Sequence, residues 1–239
     1  MSARVRFGTA WVTNYPEEYV QLVREGEAGG FDLVGMGDSQ SLFLDVYSLL
    51  TLAAANTERM MIGTTVTNPV TRHPATSAGA IASIQAISGG RAFFGLGGGD
   101  SSLLTIGERP ASYRAVGEYG QAVRALTAGE TVTWRDHEFA SHWSTSRVPL
   151  YLVPEGPKGL RQAGRVADGI FLNNGISREV IEDSLRLIEL GAAETGRPCP
   201  TSTSGWRSAA SSLPQAERRP STPSASSSPE PSTTSSASA

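Results

Sequence analysis

Four clusters of residues in this 239-residue chain have types and spacings that could do chemistry. The longest runs from Gly63 to Pro74, where an apolar β-branched stretch passes directly into Asn68, two prolines, Arg72 and His73. Polar residues placed where a strand gives way to a loop are candidates for ligand contact, because parallel α/β sheets assemble their sites at such junctions. A capped helix opened by Pro74 explains the same residues without any ligand. Asp38, between Gly37 and Ser39, is a second polar junction, and a turn or N-cap aspartate is its plain alternative. The glycine run Gly97-Gly98-Gly99 ends in Asp100, and Gly98 and Gly99 would let backbone come close to a bound molecule. Finally, Glu155-Gly156-Pro157-Lys158-Gly159 opens a helix. Free N–H groups at a helix start, together with the Lys158 cation, suit a phosphate, although proline in a first turn is also a routine start signal.

Composition narrows the classes. A net charge of −3 with 39% hydrophobic residues lacks the clustered basic charge that nucleic acid or an anionic membrane surface requires. No apolar run approaches the ~20 residues of a membrane span and no signal segment opens the chain, so a cytoplasmic protein without nucleic-acid or membrane partners is expected. The single cysteine, Cys199, has no internal partner for a disulfide, and His73, His137 and His142 lack metal-ligand spacing. No metal is expected.

These clusters sit between elements of alternating period. Strand-like runs at Val5 to Trp11, Phe31 to Met36, Met60 to Thr67, Arg91 to Leu96, Leu150 to Val153 and Gly169 to Leu172 alternate with helical segments. The helical segments are Pro16 to Gly29, Asp45 to Asn56, Pro74 to Ser88, Gly117 to Thr127, one from Gly159, and Ser177 to Glu194. Such alternation predicts a parallel α/β sheet. A dinucleotide-binding open sheet would carry its glycine-rich turn after the first strand. Here that turn is Thr13-Asn14-Tyr15-Pro16, and the glycines follow the fourth strand, which favours a (β/α)8 barrel. Trp11 could then face the mouth of the barrel, although a strand tryptophan is more often core.

Three motifs in barrel order carry a family resemblance over roughly residues 4–200. Thr65-Val66-Thr67-Asn68-Pro69 with Thr71-Arg72-His73-Pro74 is the first, and Gly89-Gly90-Arg91 leading into Gly95-Leu96-Gly97 is the second. Gly156-Pro157-Lys158 followed by Gly164-Arg165-Val166-Ala167-Asp168-Gly169 is the third. Together they resemble the bacterial luciferase-like superfamily, within it the branch that uses the deazaflavin coenzyme F420 and includes methylenetetrahydromethanopterin reductase. The resemblance implies a TIM barrel that holds a flat tricyclic cofactor, F420 or alternatively FMN, at its C-terminal mouth. It implies hydride transfer to or from a small organic substrate, with an FMN-dependent monooxygenase as the alternative activity and a homodimer as the assembly.

Residue by residue, the resemblance places a bulge with a non-prolyl cis peptide at Thr65-Val66 against the back of the ring. Asp38 and Asn68 fall at positions that hold the ring edge, Gly98 and Gly99 lie beside the cofactor, and Glu155, Gly156, Lys158 and Gly159 border its phosphate. Asp100 corresponds to an acidic proton donor of the F420-dependent sugar-phosphate dehydrogenases. Two positions depart from the pattern: Glu155 stands where relatives have a small neutral residue, and Ser39 stands where those dehydrogenases have a histidine.

The last 39 residues, from Thr201 to Ala239, contain 14 serines and almost no large aliphatics. Such a segment cannot bury enough apolar surface to offset its ordering entropy, and a disordered tail is expected. Residues 1–200 supply about six βα units where a closed barrel needs eight. A frameshift near Cys199-Pro200 would account for both facts, a natural tail on a shortened domain being the alternative. An incomplete, inactive product is therefore the competing reading from another class.

Overall fold

A computed structural model describes residues 6–175 and 177–204 of the chain. Seven parallel strands form one sheet. In chain order β1 is Gly8–Trp11, β2 Leu33–Met36, β3 Met61–Thr64 and β4 Ala92–Leu96, followed by a separate two-stranded ribbon of β5 (Val132–Trp134) and β6 (His137–Phe139). The sheet resumes with β7 Leu150–Leu152, β8 Gly169–Leu172 and β9 Thr201–Ser204, in the order β1-β2-β3-β4-β7-β8-β9. The helices are α1 Pro16–Ala28, α2 Val46–Asn56, α3 Pro74–Ile87, α4 Ser101–Leu104, α5 Tyr113–Thr127, α6 Gly156–Val166 and α7 Arg178–Glu194.

This is the expected parallel α/β barrel sheet, open among the described residues between β1 and β9. Thr201–Ser204, assigned by composition to the tail, instead add a seventh strand beside β8. The remainder of the expected tail, 205–239, lies outside the described residues. The helix starts follow local chemistry. The side chains of Asp45, His73, Ser112 and Ser177 each accept a backbone N–H from the first turn of α2, α3, α5 and α7.

Successive strand residues point to opposite faces, and each face builds its own core. Outward, Val34, Met36, Ile62, Phe94, Leu96 and Leu150 pack under the helices with Tyr19, Leu50, Ile81 and Tyr119. Trp11 belongs to this outer layer: a Cβ on Gly26 of α1 would lie 2.7 Å from its ring. The alternation of β1 thus turns Trp11 away from the mouth and gives the mouth Val12. Inward, Leu33, Phe93 and Phe171 are joined by Tyr151, with ring centroids of Phe93, Tyr151 and Phe171 5.3–5.9 Å apart. This aromatic plug closes the lower part of the barrel.

Candidate active site

Above the plug the inward positions become glycines, and the chain uses the space they leave. After β3 the backbone bulges inward through a cis peptide at Thr65-Val66, as the resemblance implied. A Cβ at Gly35 would lie 2.1 Å from the Thr65 side chain, and one at Gly97 would lie 2.9 Å from that of Val66. The bulge is pinned at both ends. Thr65 N–H donates to the Met36 carbonyl, Asp38 N–H to the Val66 carbonyl, and Thr67 pairs again with β4 through Gly95 and Gly97.

Over this bulge, at the C-terminal ends of the strands, lies a cavity of about 550 Å³. Val12, Phe43, Val66, Leu152 and Val153 supply apolar wall, and Asp38, Ser39, Asp100, Ser101, Glu155 and Gln162 supply polar groups. Thr65 is also in the lining, while its hydroxyl is buried beside Gly35 and finds no hydrogen-bond partner among the described residues. The Ser39 and Ser101 hydroxyls meet at 2.8 Å, and the Gln40 amide donates to the Ser102 carbonyl at 2.7 Å, so the segment after β2 is tied to α4.

Of the residues singled out in the sequence, Asp38, Thr65, Val66, Gly98, Gly99, Asp100, Glu155 and Gly159 line this one cavity. Three do not. Asn68 is buried behind the wall, where its carbonyl oxygen accepts the Val70 and Thr71 N–H groups at 2.9 and 3.0 Å and its amide donates to Ser102 Oγ. It builds the turn that carries Arg72 rather than facing the cavity. Lys158 is exposed on α6 outside the lining, and Gly156 borders a second cleft of about 360 Å³ with Pro157, Asn174 and Asp183. The reason for Gly99 also changes. Its φ of +84° and the closeness of Leu103 and Asn68, 2.6 and 2.9 Å from a would-be Cβ, demand glycine for the turn into α4.

Sequence reasoning missed the buried network behind Asp38. Its Oδ2 accepts from Thr67 Oγ1 at 2.6 Å and from Arg72 at 2.5 Å, while the other Arg72 nitrogen donates to Asp45 Oδ2 at 2.7 Å. The Arg72 guanidinium lies over the Tyr47 ring, 4.9 Å from its centroid. Burial works against the Arg72 charge, but Asp38 and Asp45 outweigh it and hold the guanidinium above its ordinary range. Burial likewise pushes the Tyr47 phenol up to about 12. The only local hint was Arg72 itself, three residues after a proline and otherwise unassigned. Among the described residues no group of three or more metal-ligating side chains occurs, and no helix is long and apolar enough to cross a membrane.

The family described as "Luciferase-like monooxygenase" matches residues 3–218. The chain belongs to this family. It is 36% identical over 202 residues to the 5,10-methylenetetrahydromethanopterin reductase of Methanolobus tindarius, covering 80% of this chain and 60% of that one. It is 35% identical over 161 residues to the F420-dependent glucose-6-phosphate dehydrogenase of Beutenbergia cavernae, covering 61% of this chain and 47% of the relative. Among solved structures, the coenzyme F420-dependent tetrahydromethanopterin reductase of Methanopyrus kandleri superposes with a TM-score of 0.71 at 28% identity, covering 82% of this chain and 63% of the other. An F420-dependent secondary alcohol dehydrogenase, at 20% identity and a TM-score of 0.70, shares the fold. The chain thus spans about half to two-thirds of the length of the relatives it matches.

Proposed function

We propose that this chain carries the cofactor-holding part of an F420-dependent oxidoreductase acting on a small organic substrate. The observation that carries the reading is the inward Thr65-Val66 bulge forming the floor of the cavity. A volume of about 550 Å³ lies within the range of cofactor sites, roughly 300–1,000 Å³, and the mixture of apolar wall and few polar groups suits a flat heteroaromatic ring. Asp100 and Glu155, both on the lining, make no side-chain cap bond and so keep polar capacity for a ligand. The residues therefore fit the group. The reductase and dehydrogenase names of the relatives support the same choice.

When bound, a deazaflavin supplies a carbon that accepts or releases hydride. In this reading the chain's own residues do the rest. Val66 and Val12 exclude water from one side of the ring, and the Thr65-Val66 backbone supports its face. Asp38 and Ser39 border the ring edge, with Asn68 acting from behind by shaping the 68–72 turn. Of the α6 start only Glu155 and Gly159 line the cavity, so in this reading a phosphate would have to extend past its edge to meet the N–H groups and the cation at Gly156 and Lys158. Asp100 is exposed on the cavity wall and makes no side-chain cap to α4, so its carboxyl is available to exchange a proton with the substrate.

Titrating the purified 239-residue protein with coenzyme F420 and separately with FMN, following cofactor fluorescence and checking folding by circular dichroism, tests the proposal. Saturable F420 binding with much weaker FMN binding is the expected result. Preference for FMN would replace the reading with a flavin-dependent monooxygenase, and a folded protein that binds neither would point to an inactive product.

A further inference from the structure

We propose that Arg72 is a positioning residue for the cavity, holding the Asp38 carboxylate and the Gly37-Asp38-Ser39 segment in one orientation toward the bound ring. The inference rests on the cofactor reading above but draws on a separate set of contacts. Asp38 is 4% exposed, and its Oδ2 takes two donors, Thr67 Oγ1 from the end of the bulge and the Arg72 guanidinium. Both donors approach the same oxygen, which fixes the rotation of the carboxylate.

Arg72 could not impose that orientation unless it were itself fixed, and it is held from several sides. Asp45, which caps α2 by accepting the Ser48 N–H through Oδ1, takes the second Arg72 nitrogen on Oδ2. The Tyr47 ring supports the guanidinium face. The Arg72 carbonyl accepts the Tyr119 hydroxyl of α5 at 3.1 Å, and that hydroxyl also meets Ser77 Oγ of α3 at 2.7 Å. A planar guanidinium bridging two carboxylates while stacking on an aromatic face is a task lysine cannot reproduce, because its ammonium is a point charge on a flexible stem. The arrangement links the loops after β2 and β3 to the first turn of α2 through one side chain.

The test uses the whole chain in four forms: unchanged, Arg72→Gln, Arg72→Lys and Ile188→Ala. Ile188 is a fully buried core residue of α7, so its truncation lowers the unfolding midpoint without altering the network. Two readouts are taken: coenzyme F420 affinity by fluorescence, and hydrogen exchange of the Gly37–Ser39 amides in the ligand-free protein. Arg72→Gln is expected to weaken affinity at least ~10-fold and to speed exchange of these amides, with Arg72→Lys intermediate in both. Ile188→Ala is expected to leave affinity unchanged. Equal losses in Arg72→Gln and Ile188→Ala would reduce Arg72 to a general stabilising role and overturn the inference. If the unchanged protein binds no deazaflavin, the cofactor reading fails alone, and the exchange readout still decides whether Arg72 orders the Asp38 segment: unaltered exchange in Arg72→Gln overturns the inference too.

Discussion

The two ends of this sheet spend their polar side chains differently. At the base, beneath the N-terminal ends of the strands, Arg91, Glu27 and Asp168 are each held by several protein partners. Arg91 donates to the carbonyls of Ala54, Thr57, Met60 and Ser88 and to the Thr57 hydroxyl. The Glu27 carboxylate accepts the N–H groups of Glu58, Arg59 and Met60, and Asp168 gathers Arg124, Arg147, Arg197 and the Leu150 N–H. At the mouth, Asp100 and Glu155 cap helices by position without making a side-chain cap bond, and the Thr65 hydroxyl has no partner among the described residues. The mouth thus combines a bonded bridge, Asp38–Arg72–Asp45, with two carboxylates, Asp100 and Glu155, that make no cap bond and keep capacity for a ligand, as suits a barrel whose sites lie at strand C-termini.

The largest effect that would break this contrast is at Arg91. Arg91→Ala leaves several carbonyls without donors beneath the core, and a loss of about 4 kcal/mol in chemical denaturation is expected, with no change in cavity chemistry beyond the lost folded fraction. A loss under 1 kcal/mol would show that water satisfies those carbonyls and that the base is less dependent on its charges than the hydrogen bonds indicate. At the mouth the converse holds for Asp100. In the reading proposed above, replacing its carboxyl in Asp100→Asn should change stability by no more than about 0.5 kcal/mol while slowing substrate turnover by about 10²-fold, the range of a lost acid–base group. Unchanged single-turnover rates would remove Asp100 from the chemistry.

A pH experiment sharpens the comparison at Asp168. Burial alone would raise its carboxyl, but the Leu150 N–H and the Arg147 and Arg124 guanidiniums together hold it below the usual carboxylate range. A depressed folded value means that this carboxylate's contribution is complete above the unfolded value of ~3.9 and is lost as pH falls through the folded value. Stability should therefore decline below about pH 4, and Asp168→Asn, already weaker at neutral pH, should decline less steeply over the same window. Parallel acid limbs for the two proteins would assign the acid sensitivity to other carboxylates.

The same division explains what could be read from the sequence. The alternation of strands and helices, the helix caps and the order of the motifs are local in the chain, and each strand of the main sheet up to β8 lies within the expected run. The ribbon β5–β6 escaped because its two-residue turn is Arg135-Asp136, with φ of +48° and +67°, where glycine or asparagine would have announced it. The bulge came through family resemblance, although the inward glycines Gly35, Gly95 and Gly97 were a physical signal that side chains are excluded around it. The Asp38–Arg72–Asp45 bridge and the seat of Tyr119 on the Arg72 carbonyl join residues 27 to 47 positions apart, and no periodicity reports such pairings. The resemblance places Asn68 at the ring edge, yet its side chain is taken up by its own turn, accepting the Val70 and Thr71 N–H groups.

The smallest effect tests the mouth with a charge that binding would be better without. Glu155 is exposed at the N-cap of α6, lines the cavity and makes no side-chain bond to the helix start, so its carboxylate repels a phosphate brought there without supplying a cap in return. Glu155→Gln should therefore tighten binding of an anionic cofactor by about 2- to 5-fold, equivalent to ~0.4–1 kcal/mol, and the gain should shrink as salt screens the charge. The cost to the folded state should be no more than a few tenths of a kcal/mol, the favourable dipole interaction that an exposed acid at a helix N-terminus supplies. Neutralising a carboxylate at the base weakens the protein, and neutralising this one should improve it as a binder. Weaker cofactor binding in Glu155→Gln would mean that the carboxylate accepts a hydrogen bond from the ligand, and the phosphate would then have to be sought away from α6.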